Sequence, residues 1–202
     1  MARRAPTKGS ERRRRAILDA ALTCFVERGT VSATIDEIRD RSGASIGSIF
    51  HHYGTKEQLV GALFEEGLRR FHRGFVPAIV QRRSARAGIE AGVRYHIEWF
   101  VQNPDMGRFL LHMRQSELLT PGTIRELNRE QMSKILAWLR PFQEKGQVRK
   151  LAVSVLTSLW IGPAQEYCRQ RLSGIATTPP ERVTPLLADA AWRSLRADGS
   201  RG

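Results

Sequence analysis

Only two of the 202 residues are cysteine, Cys24 and Cys168. Both fall in apolar helical patterns, so two buried free thiols are expected rather than a disulfide. The five histidines are scattered, and none stands in a CxxC- or HExxH-like spacing. No metal and no cofactor is expected. No apolar run approaches the ~20 residues of a membrane span. The start, MARRAPTKGSERRRR, is basic but is followed by no apolar segment long enough for a secretory signal. A cytoplasmic protein is expected, with no membrane partner. Acid is also scarce: 20 Asp and Glu stand against 33 Lys and Arg, for a formal net charge of +13. A folded, strongly basic chain makes a polyanion the first partner to consider, either nucleic acid or an anionic membrane surface. The first predicted helix carries Asp19 and Glu27 among its polar residues, which suits a membrane-surface helix poorly. Convergent acid–base groups are missing too. His96 with Glu98, and His112 with Glu117, have no matching partners at useful spacing, so no enzyme is expected.

Hydrophobic residues make up 41% of the chain, enough for a core. Their spacing is helical almost throughout. Ser10 is a plausible N-cap, and Ile17, Leu18, Ala21, Leu22, Phe25 and Val26 follow on one face up to Gly29, giving a helix over about 10–28. Thr34-Ile35-Asp36-Glu37 has the form of a capping box and opens a second helix reaching about Arg41. Gly43 can supply the positive φ of a tight turn. A short helix over about Ser45–His51 comes next, and a second capping box, Thr55-Lys56-Glu57-Gln58, opens a long amphipathic one. Two caps within ~20 residues, with a glycine turn between them, predict a helix–turn–helix. Beyond it, helices are predicted over Ser84–Val101, from Pro104, over Thr123–Leu139, over Val148–Leu172 with a kink at Gly162-Pro163, and over about Glu181–Leu195. No convincing strand is found. The expected architecture is all-α with about nine helices: a basic disordered arm over 1–9, a three-helix DNA-binding domain over 10–56 and a helical domain over 57–202.

Read as a helix, the stretch Ser42–Lys56 is intrinsically weak, since Gly43 and Gly47 fall within five residues and an interior Gly costs about 1 kcal/mol against Ala. Its value lies in what it presents. A helix–turn–helix places its second helix in the major groove, ~12 Å wide, where small residues allow close approach. Ser45, Gly47 and Ser48 fit that role, Ile46 can touch a thymine methyl, and His51 and His52 can meet phosphate or a base acceptor. Thr34 and Lys56, at helix starts, can reach phosphates. Ile49 and Tyr53, four apart, are expected in the core, while Phe50 fits either role. Residues 1–15 hold seven basic side chains against the single acid Glu11. Arg4 and Arg13 in this stretch are therefore candidates for lying along phosphates.

From Thr34-Ile35-Asp36-Glu37-Ile38 through Ser42-Gly43-Ala44-Ser45-Ile46-Gly47-Ser48-Ile49-Phe50-His51-His52-Tyr53-Gly54-Thr55-Lys56-Glu57, the chain resembles the DNA-binding motif of the TetR family of bacterial transcriptional regulators. The resemblance covers about residues 10–60. It implies an N-terminal three-helix DNA-binding unit on a helical ligand-binding and dimerisation domain. It also implies a homodimeric repressor on double-stranded DNA, released from a palindromic operator by a small molecule. Regulators of this type that lack an effector, or that activate, are the alternative. Some positions depart from the family pattern: Arg39 and Ser42 stand where small apolar residues are frequent, Ile46 replaces a frequent Lys, and Phe50 replaces a frequent Tyr and so lacks a hydroxyl often used on phosphate.

In the C-terminal two-thirds, Tyr95, His96, Trp99, Phe100, Phe109, His112, Met113, Trp138, Trp160 and Tyr167 lie near the middles of predicted helices. They are candidates for lining a ligand cavity, although aromatics at helical spacing are more often plain core. The last two helices have wide apolar faces, and Leu156, Leu159, Leu186, Leu187, Ala190 and Ala191 are the candidates for a two-fold four-helix interface.

Overall fold

The computed structural model of the chain describes residues 8–114, 116 and 118–197. Among these the regular structure is helical throughout: α1 Lys8–Ser32, α2 Ile35–Ser42, α3 Ile46–Tyr53, α4 Lys56–Val80, α5 Ala85–Gln102, α6 Pro104–Met113, α7 Pro121–Glu144, α8 Val153–Trp160, α9 Gly162–Leu172 and α10 Pro180–Leu195. There are ten helices rather than about nine, because the expected kink at Gly162-Pro163 is a break. Ile161 ends α8 and Pro163 sits in the first turn of α9, where its missing N–H leaves no helical bond unmade. The stretch before α8, expected to be helical from Val148, is not. Val148 instead forms an isolated antiparallel bridge with Arg196. The expected arm over 1–9, with Arg4, lies outside the described residues except for Lys8 and Gly9, which belong to α1.

The chain divides into two compact units. One holds residues up to Gly67 together with Arg108–Leu119, and the other holds Leu68–Gly107 and the remainder. In the first unit, α1 buries Ile17, Ala20, Ala21, Cys24 and Phe25 and leaves helical geometry at Gly29, at φ 81°. Phe109 stacks on Phe25 with ring centres 6.1 Å apart. Ile38, Ile49, Leu59, Leu63 and Phe64 fill the same core at 1% exposure or less, and each buried side chain of this size contributes roughly 1.5–3 kcal/mol. Cys24 lies within it, its thiol pushed up mainly by burial.

In the second unit α5 is the centre, packed on α10 and α9. Its apolar stripe is Ile89, Val93 and Ile97. Gly88 in α5 gives up helix propensity for space: a Cβ there would sit 2.2 Å from the indole of Trp138. Trp160 donates its indole N–H to the Ile89 carbonyl at 2.9 Å, and so anchors α8. Phe71, Phe75, Tyr95, His96, Trp99 and Phe100 form a continuous ring cluster, with centres 4.6–6.1 Å apart.

Candidate nucleic-acid interface

The approach to α3 is set by caps. The Thr34 hydroxyl accepts from the Glu37 N–H at 3.2 Å, while the Glu37 carboxylate accepts from the Thr34 N–H at 2.8 Å. That backbone bond holds the Glu37 carboxyl below the usual carboxylate range. Gly43 then turns the chain at φ 66°, a left-handed geometry that side chains resist. Its N–H donates to the Arg39 carbonyl. Ser45 caps α3, its hydroxyl accepting from the Ser48 N–H at 3.1 Å. After α3, the second box closes as predicted, with Gln58 N–H on the Thr55 hydroxyl at 3.2 Å and Thr55 N–H on Gln58 Oε1 at 3.0 Å.

The weak helix is held from its inner side. Ile49 is 1% and Tyr53 6% exposed. The Tyr53 hydroxyl donates to the Arg14 carbonyl of α1 at 2.9 Å, and the Arg14 guanidinium lies 5.7 Å from the Tyr53 ring centre. Burial pushes the phenol up, against the opposing bond to Arg14. Arg41 grips Glu27 with two bonds of 2.9 and 2.7 Å, tying α2 to α1.

The outer side of α3 carries the residues the sequence pointed to. Ser45, Ile46, Gly47, Phe50 and His51 are exposed, and Ser48 and His52 half-buried. Arg39 turns outward, as its polarity requires, and bonds Asp36 and Asp40. Gly9, Ser10 and Arg13 of α1 join Ser48, His51 and His52 around an open depression of about 510 Å³. Sequence reasoning did not include Gly9 and Ser10. Their place one turn from Arg13 on a helix is the signal that could have found them. His52 has its pKa lowered, first by burial and then by His51, Arg14 and Arg13. Lys56, expected at a phosphate, donates its Nζ to the Val31 carbonyl at 2.7 Å, which leaves two ammonium donors. Thr34 is exposed, with its hydroxyl hydrogen still to give.

The residues proposed for a ligand cavity fall in both units. Tyr95, His96, Trp99 and Phe100 belong to the ring cluster of the second unit, whereas Phe109, His112 and Met113 fall in the first. Met113 is fully buried, and His112 is exposed. The Trp138 indole donates to the Arg82 carbonyl at 3.0 Å, and the Tyr167 hydroxyl to the Thr178 carbonyl at 2.8 Å. Of the dimer candidates, Leu156 and Ala191 are 1% and 3% exposed within the chain's own core. Leu159 and Leu187 are half-buried, and Ala190 and Leu186 are exposed.

Residues 17–63, which span most of this arrangement, match the model of bacterial regulatory proteins of the tetR family. Over 91 residues the chain is 32% identical to the transcriptional regulator TtgW of Pseudomonas putida, covering 45% of this chain and 67% of that protein. The chain belongs to the TetR family. Another relative of this TetR-family chain is the transcriptional repressor Rv3405c of Mycobacterium tuberculosis, 41% identical over 90 residues, covering 43% of this chain and 47% of that protein. The chain thus spans about half the length of the first relatives it matches. A TetR-family regulator of Marinobacter aquaeolei, of known structure, shares the fold with a TM-score of 0.82 at 17% identity, over 94% of this chain and 98% of that one.

Proposed function

We propose that the chain is a sequence-specific, double-stranded-DNA-binding transcriptional repressor of bacterial cytoplasm. In this reading two copies bind a palindromic operator and sit on the nucleoid when bound, and a small molecule releases them. The observation that carries the reading is α3 itself. A helix with poor intrinsic preference is held by Ile49, Tyr53 and the Ser45 cap, between capping boxes at the starts of α2 and α4, while its small, apolar and imidazole residues face outward beside Arg13. The contact set is Arg4, Arg13, Thr34, Ser45, Ile46, Gly47, Ser48, Phe50, His51, His52 and Lys56. The formal net charge of +13 supplies the attraction to phosphate. No helix among the described residues is long and apolar enough to cross a membrane. The two-copy reading draws on Leu186, 68% exposed on α10, and on Val153 and Val155, 44% and 46% exposed on α8. Apolar side chains in these positions fit a four-helix interface about a two-fold axis.

The test is selection from a random duplex DNA pool at moderate salt. Enrichment of two equivalent, inverted half-sites at helical-turn spacing is expected. Retention without enrichment would reduce α3 to part of a general polyanion binder and end this reading. The close ring packing around Phe71 favours a second reading in which no small molecule acts and control comes from a protein partner. Screening metabolites for release of the selected operator separates the two.

A further inference from the structure

The outer side of α3 has two chemically different edges. At about 100° per residue, Ile46 and Phe50 lie within ~40° of each other. Gly47 and His51 come next around the helix, then Ser48 and His52, and the buried Ile49 and Tyr53 close the circle. The Ser48–His52 edge is polar and opens onto the depression shared with Gly9, Ser10 and Arg13. The other edge is wholly apolar, with Ile46 37% and Phe50 44% exposed. Nine large hydrophobic side chains are exposed among the described residues, and two of them occupy this one flank of an eight-residue helix. Exposure on that scale calls for an apolar partner. Phe50 has no hydroxyl to offer a phosphate, and Ile46 no cation.

We infer that the Ile46–Phe50 edge reads the 5-methyl groups of thymine, so that each half-site must carry T·A pairs beneath it. The inference rests on the DNA-reading assignment of α3 and adds to it the identity of the bases on one side. On the major-groove edges of the four base pairs, the thymine methyl is the apolar group that stands out from donors and acceptors. The cations about the motif, Arg13 and Lys56, favour a polyanion over a hydrophobic protein surface as the occupant of this flank. The polar edge and Arg13 face one phosphate chain, Gly47 and His51 between the edges face the groove floor, and the apolar edge lies toward the opposite wall of the groove, where the methyls of thymines on that strand project. Spaced four residues apart, the two side chains reach neighbouring steps rather than one base.

The test uses wild-type protein and the operator recovered by selection, resynthesised with deoxyuridine at each thymine in turn and titrated by fluorescence anisotropy. Deoxyuridine differs from thymidine only by the missing methyl. At one or two positions in each half-site the dissociation constant should rise about four-fold, the loss expected for one buried methyl, and elsewhere it should not change. A double variant, I46A with F50A, should bind the thymine and uracil operators alike. If every single uracil operator binds as tightly as the parent, the inference is overturned while the DNA-reading assignment of α3 stands. If selection recovers no sequence at all, the assignment fails and the inference with it.

Discussion

Replacing Tyr53 by Phe removes one oxygen from the joint between α3 and α1. That hydroxyl donates to the Arg14 carbonyl at 2.9 Å from a side chain 6% exposed. A neutral hydrogen bond of this kind contributes about 0.5–1.5 kcal/mol net. The Arg14 carbonyl lies within α1, where the N–H four residues on also serves it, so no orphaned acceptor adds to the loss. The Phe ring keeps the packing and the guanidinium of Arg14 above it. The expected loss is therefore about 1 kcal/mol, or ~2–4 °C for a chain of this size. Tyr53→Ala removes the ring as well and should cost about 3–5 kcal/mol. Urea unfolding followed by far-ultraviolet circular dichroism measures both. Trp99, Trp138, Trp160 and Trp192 all belong to the second unit, so tryptophan emission should miss a transition confined to the first. The slope of DNA affinity against salt should not change in Tyr53→Phe, since no phosphate partner is removed. Equal losses for Phe and Ala would refute this division between ring and hydroxyl.

Lys56→Ala should weaken binding to all duplexes and reduce the salt slope by about one; an unchanged slope, measured by anisotropy at several salt concentrations, would leave Lys56 only its bond to Val31. His52 has a pKa lowered by burial and by nearby positive charge, so the unfolded chain takes up a proton first as pH falls. Its contribution to stability should fade below about pH 6.5, whereas a phosphate beside it favours the cation, so DNA affinity should rise over the same range. His52→Gln should flatten both dependences in parallel urea and anisotropy titrations, and a profile identical to wild type would acquit His52. Gly88→Ala forces a methyl against the Trp138 indole. Overpacking of about 1–3 kcal/mol should outweigh the ~1 kcal/mol gain in helix preference, and a more stable variant on urea unfolding would contradict the close approach.

The elements governed by neighbours in sequence were legible before any coordinates. Both capping boxes, Thr34 with Glu37 and Thr55 with Gln58, join residues three apart, and the Gly43 turn follows from its own φ. The α8–α9 break was harder to read. Pro77, Pro141 and Pro185 lie inside continuous helices, so a proline alone does not decide between a kink and an end. Bonds between residues distant in sequence left no periodic trace: Tyr53 reaches Arg14 across 39 positions, and Lys56 reaches Val31 across 25. Aromatic spacing likewise does not tell which rings share a core. Phe100 and Phe109, nine positions apart, belong to different units.

The bridge between Val148 and Arg196 has a mechanical effect. Arg149 donates its N–H to the Leu195 carbonyl at 2.9 Å, and Ala197 donates to the Gln147 carbonyl at 3.1 Å. The segment leading into α8 is thereby clasped to the residues leaving α10. Ala152 offers α8 no side-chain cap, so the clasp, four residues earlier, is what sets where that helix begins relative to the end of α10. Two helices latched at one end can splay only at the other, like the blades of scissors. Trimming the chain after Leu195 would remove Arg196 and Ala197 from this clasp while sparing every helix.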